Sequence, residues 1–260
     1  MNASAGAEGW SNAAHQRELM GLASLMTAVF HGDDLTALRE SLLARAARDA
    51  GDANALMDLS ILMQLHNHRD IGLSIQREAL QIQRLYHLPA TRVPASIRLL
   101  AIMAPGDIST NMPLEFLLRD SGIALDMLYL LPGEPLPDVV SEHDVLIIAA
   151  GESDANRPLL LQLAGVIDRW PRPVLNLPQR ILNLSRDAAC KMLRNAPGIV
   201  MPVSRRIDRA TLAAIGDASA AVSCNASSGT VRDVSSLTTT PRLQHDCHRL
   251  AAAFRRSTSP

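Results

Sequence analysis

A change of hydrophobic period near Ile97 is the strongest constraint on what this chain can fold into. From Leu35 to Tyr86, apolar residues recur at three- and four-residue steps, the mark of one helix face. From Ile97 onward they come in short unbroken runs: Ile97 to Met103 (IRLLAIM), Ile123 to Leu131, Asp144 to Ala150 (DVLIIAA) and Val174 to Asn176. Such runs suit strands buried on both faces, and those belong to parallel sheets covered on each side by helices. The intervening segments supply the helices. A short one runs from Pro113 through Arg119 with Pro in its first turn, and a longer one from Arg157 to Trp170 carries Leu160, Leu161, Leu163, Ala164 and Ile167 at helical spacing. The expectation is an α/β fold: a helical region over 11–88, a linker around Pro94, and a small, mostly parallel four-strand sheet domain over 97–207.

Within the helical region, Leu35, Leu38, Leu42, Leu43 and Ala46 define one helix, opened by Asp33-Asp34 and ended near Gly51. A second begins at Asp52 with Leu56, Leu59, Ser60 and Met63 on one face, and breaks at His66-Asn67-His68-Arg69. A third runs from Asp70 to about Tyr86, carrying Gly72, Ile75, Gln76, Ala79, Ile82 and Tyr86, before Pro89. Small residues at Ser60, Gly72 and Ala79 let the last two helices approach closely. Their spacing resembles a single tetratricopeptide-type hairpin. Two readings stand: a helical subdomain packed on its neighbour, or a repeat unit serving contact with a protein partner or a second copy.

Composition excludes several function classes. Lys plus Arg (25) against Asp plus Glu (26) leaves a net charge of −1, and aromatic residues make up 3%, so neither phosphate attraction nor base stacking is favoured. No nucleic-acid partner is expected. Cys190, Cys224 and Cys247 are odd in number and contain no CxxC, which argues against a disulfide framework and fits a reducing cytoplasm. The first residues lack a basic leader and no apolar run approaches the roughly 18 residues of a membrane span, so no membrane partner is expected either.

In a parallel sheet the ligand crevice lies beyond the carboxyl ends of the strands. Two loops occupy that edge. Pro105 to Met112 offers Asp107, Ser109, Thr110 and Asn111; Gly151 to Arg157 offers Glu152, Ser153, Asp154, Asn156 and Arg157. Backbone N–H groups and a cation there can hold a small carboxylate or phosphate. The substrate-binding candidates are Asp107, Ser109, Asn111, Glu152, Ser153, Asn156 and Arg157. A dinucleotide fails on its own chemistry, because Gly106 stands alone where a G-x-G-x-x-G turn is required.

Other constellations read as structure. His245-Asp246-Cys247-His248 cannot turn four adjacent side chains onto one tetrahedral metal centre. His66-Asn67-His68 reads as a turn, Cys190 as a packed thiol, and Met57, Met63 and Met103 as core filler. No catalytic, cofactor-binding or metal-ligating residue is identified.

The stretch RPVLNLPQRILNLSRDAACKMLRNAPGIVMPVSRRI, from Arg172 to Ile207, carries a resemblance. A strand ending in Asn176-x-Pro178, a helix opened by Ser185-Arg186-Asp187, then Gly198 and Pro202, is similar to the segment by which ATP-grasp ligases pass into their ATP-binding lobe. In many members the Asp is followed at once by Lys; here Ala188 follows, and the first Lys is Lys191. The region from Ile97 to about Ile207 thus looks like the pre-ATP-grasp domain, a Rossmann-like lobe. The resemblance implies a lobe on the carboxylate or amine side of a ligation, with ATP and magnesium bound by later lobes. None of those later residues maps onto this chain. Residues 216–260 are rich in Ser, Thr and Arg without a sustained period and are expected to be a disordered tail, a shifted reading frame or a natural terminus. The expected function is therefore a truncated, catalytically incomplete relative that binds a small acid, with no cofactor of its own. The alternative is a helical interaction module on a non-catalytic α/β scaffold.

Overall fold

The computed structural model describes residues 18–137, 139–202, 204 and 208. The segment 11–17 and the tail over 216–260 lie outside them. The chain divides into two compact units, Met1–Ala189 and Cys190–Pro260.

Four helices come first: α1 (Gly21–His31), α2 (Thr36–Arg48), α3 (Ala53–Leu65) and α4 (Arg69–Ile82). The carboxylate of Asp34 accepts from Thr36 N at 2.9 Å to open α2, and that of Asp52 accepts from Ala55 N at 2.9 Å to open α3. α3 and α4 form a tight pair. A Cβ on Gly72 would lie 2.7 Å from the Ser60 carbonyl and 2.5 Å from Gln64 Cγ, so only glycine permits this approach.

The strands follow as β1 (Leu85–Leu88), β2 (Ile97–Met103), β3 (Ile123–Tyr129), β4 (Val145–Ile148) and β5 (Val174–Leu175). Between them lie α5 (Leu114–Leu118), α6 (Arg157–Val166) with a 3-10 turn at Ile167–Arg169, then α7 (Pro178–Ile181) and α8 (Arg186–Leu193). The sheet order is β1-β3-β2-β4-β5, with β1 antiparallel to β3 and every other pair parallel. Two expectations are corrected here. The sheet has five strands rather than four, and the third helix stops at Ile82 instead of reaching Tyr86. At Gln83 the backbone turns extended (φ −145°, ψ 137°), and Tyr86 enters the sheet opposite Met127.

Alternation places two apolar faces back to back. Leu99, Ala101, Met103, Leu125, Met127 and Ile147 face α1, α3 and α4, packing with Leu25, Met57, Ile61, Ala79, Leu80 and Tyr86. Leu100, Ile102, Leu128, Leu146 and Ile148 face α6, packing with Leu159, Leu160, Leu163 and Ile167. Burial on both sides is why these strands read as unbroken apolar runs. The helical region and the sheet therefore share a core, inside the first unit. α2 sits at the margin of that core, reaching it through Leu38, while Leu42 and the preceding Leu35 pack with Ala55, Leu59 and Leu62.

α8 opens as its sequence indicates, with Ser185 Oγ accepting from Ala188 N at 3.3 Å. No residue of α8 is buried, and Met192 is 63% exposed. In the second unit the half-buried Cys190 thiol lies 3.1 Å from the Ser204 hydroxyl.

Candidate functional site at the carboxyl edge of the sheet

From β2 the chain passes to β3 on one side, and β4 then pairs on the other side of β2. The order reverses between β2 and β4, so their two following loops emerge side by side, the place where open α/β sheets hold ligands. These are residues 105–112 and 151–157.

The loops are sewn together by backbone and amide groups. Gly151 N donates to Thr110 O at 2.9 Å, and Met112 N to Ala149 O at 2.7 Å. Asn156 is buried; its Nδ2 donates to Gly151 O at 2.9 Å and to Thr110 O at 3.4 Å. Asn111 clamps the end of β2, accepting from Ala104 N at 2.8 Å and donating to Ala104 O at 2.7 Å. Of the candidate residues, Asn111 and Asn156 are thus braces of the edge.

Asp107 is engaged inside its own loop. Its carboxylate accepts from Ser109 Oγ at 2.7 Å and from Arg69 Nη2 at 2.9 Å. The Ser109 hydroxyl first, then the Arg69 guanidinium, hold the Asp107 carboxyl below the usual carboxylate range against the opposing effect of burial. The N–H groups of Gly106, Ile108, Ser109 and Thr110 are all taken by protein acceptors: Gln76 Oε1, Gln64 Oε1, Asp107 Oδ1 and Asp107 O. The first loop therefore offers no open row of N–H donors to an anion, contrary to the sequence expectation. Its cradle is filled by the protein's own side chains.

The second loop is more open. Ser153 Oγ accepts from Asn156 N at 3.1 Å and Ser153 O from Arg157 N at 3.0 Å, which closes the first turn of α6. Arg157 is exposed and Glu152 half-buried, and neither side chain has a partner among the described residues. Arg157 is the cation at the positive end of α6.

Sequence reasoning missed the residues that hold the first loop from behind. Gln76 on α4 makes a two-point clamp on Gly106, donating to its carbonyl at 2.9 Å and accepting from its N–H at 2.8 Å. Gln64 on α3 accepts from Ile108 N at 3.1 Å. Both are buried, and a glutamine on the inward face of a helix was the available signal. Between them, Asn111, Glu115 and Tyr129 lies a cavity of about 50 Å³. It is far below the roughly 300 Å³ at which small-molecule pockets begin.

Among the described residues no three His, Cys, Asp or Glu side chains converge as metal ligands. Among them, too, no helix is long and apolar enough to cross a membrane. No protein-family model, no curated protein and no solved structure matches the chain, so its functional reading rests on this geometry.

Proposed function

We propose that the chain is a binding module for a small carboxylic acid, held at the carboxyl edge of the sheet by the Arg157 guanidinium at the start of α6. The observation that carries this reading is the reversal of strand order between β2 and β4, which brings residues 151–157 against a rigid neighbouring loop and leaves Arg157 exposed there. A guanidinium matches a carboxylate with two parallel hydrogen bonds, and the positive end of α6 adds to the attraction. Glu152 sets a limit on the ligand: a second negative group placed near it is repelled, so monocarboxylates or amino acids are favoured over dicarboxylates. The sequence resemblance to the lobe of ATP-grasp ligases on the carboxylate or amine side of the ligation is compatible with the same assignment. On this reading the chain binds the acid without activating it.

Titration calorimetry with acetate, alanine and succinate tests the proposal. Arg157→Ala is expected to weaken monocarboxylate binding by about tenfold, the usual cost of losing one charged partner. Equal binding by wild type and Arg157→Ala, or release of ADP from ATP and magnesium by the purified chain, overturns it.

A further inference from the structure

The amino end of the sheet carries a second opening, independent of the acid-binding edge. Here β1, β2 and β3 present His87, Arg98, Ala124 and Asp126 to the face that α6 covers elsewhere, and the crossover between β1 and β2 adds Pro89 and Val93. Together they line a groove of about 340 Å³. That volume is within the range of small-molecule sites.

Asp126 breaks the pattern of β3, because Ala124 and Leu128 on the same face are apolar. A carboxylate on such a face costs free energy unless it is partnered or used. Its partner is His87, directly opposite in register, with Nδ1 2.6 Å from Asp126 Oδ1. When Nδ1 donates to the carboxylate the ring is fixed, and Nε2 is left as an acceptor. Among the described residues nothing else engages it.

Charge selects the ligand. Arg98 is the neighbouring cation, but Glu142 engages its guanidinium at 2.7 Å and Asp144 flanks it at 3.9 Å. Two carboxylates against one guanidinium leave no positive charge to draw an anion. Asp126 meets the groove with the His87 imidazole beside it and the Arg98 guanidinium acting on it at longer range, so three carboxylates share that one guanidinium and the balance stays negative. The groove therefore offers acceptors, negative charge and an apolar wall. Its complement is a molecule bringing several donors, positive charge and a short apolar stem; an ammonium group has three donors and no acceptor.

We propose that this groove binds a small primary alkylamine, with its ammonium on the Asp126 carboxylate and its stem along Val93, Pro89 and Ala124. An NMR titration of the full chain with n-butylamine tests it, with butyrate and butanol as the charge-reversed and neutral molecules of the same stem. Butylamine alone is expected to shift the His87 ring and the amides of Ala124 to Asp126 to saturation. Asp126→Asn should weaken that binding by about tenfold, and Arg157→Ala should leave it unchanged. Binding of butyrate or butanol as tight as that of butylamine overturns the proposal, as does unchanged affinity in Asp126→Asn. Should that variant perturb the fold, His87→Ala at the exposed ring serves instead: it removes the donor that competes for Asp126 Oδ1, so butylamine should bind more tightly, and unchanged or weaker affinity again sinks the site.

Discussion

At the scale of single residues, the start of α1 is the most unusual place in the molecule. Its first N–H groups find no capping side chain nearby in sequence. Asp58 on α3 accepts from Met20 N at 2.9 Å and Gly21 N at 3.0 Å, and Glu115 on α5 accepts from Ala23 N at 2.8 Å and also from Leu22 N. Both carboxyls are in the interior, and burial pushes each up to about 7 against the pull of these donors. The folded chain thus holds the protons more tightly than the unfolded chain, whose carboxyls titrate near 3.8 and 4.5. The stability due to this pair is complete below those unfolded values and is lost as pH rises through about 7. Urea denaturation from mildly acid to mildly alkaline buffer should show a falling midpoint. Asp58→Asn keeps an acceptor for the N–H groups but cannot ionise, so it should flatten the slope; a slope as steep as wild type contradicts the account. Gly21 belongs to the same device. Its φ is +80°, and a Cβ there would lie 2.5 Å from Glu115 Oε2, so Gly21→Ala should cost about 1–3 kcal/mol in the same measurement.

At the scale of elements, the helices serve the sheet edge as much as they cover the core. α3 and α4 each send one buried glutamine to residues 105–112, and these two side chains hold a loop that carries candidate ligand contacts. Gln76→Ala leaves two backbone groups of Gly106 without partners, at a cost of about 1–3 kcal/mol. Hydrogen exchange should accelerate at Gly106 in that variant while the amides of β4 stay protected; unchanged protection at Gly106 would mean the loop is held by other means. What the sequence disclosed follows from where each determinant lies along the chain. β2 and β4 were legible because burial on both faces writes an unbroken apolar run. α2 and α3 were legible because their acidic starts are local. α1 was not identified as a separate helix, since its caps come from Asp58 and Glu115, far away in sequence. β1 was taken as helix because Tyr86 stands four residues after Ile82, a spacing that both periods accept over so short a stretch. At the edge, position was readable but role was not: Asn111, Asn156 and Arg157 are all polar loop residues, and only their partners separate brace from open cation.

At the scale of the whole molecule, the shared core decides how the first unit behaves. One sheet face rests on helices that precede it in sequence, through Leu25, Met57, Ile61, Leu80 and their neighbours. A sheet without those helices would present Leu99, Ala101, Met103, Leu125, Met127 and Ile147 to water. At ~25 cal/mol per Å² of apolar surface, uncovering a face of that size removes a stabilisation comparable to the whole net stability of a domain, about 5–15 kcal/mol. Residues 84–208 expressed alone should therefore be insoluble or lack a dispersed amide spectrum, whereas 18–208 should fold. Substitutions in the common core should act globally: Met57→Ala on α3 is expected to cost about 2–5 kcal/mol, and to accelerate exchange in β2 as much as in α3. A folded 84–208 fragment, or a Met57→Ala variant whose loss of protection stops at the helices, would show instead that helices and sheet are separate cooperative units. The carboxyl edge would then be an interface between two such units rather than one preformed site.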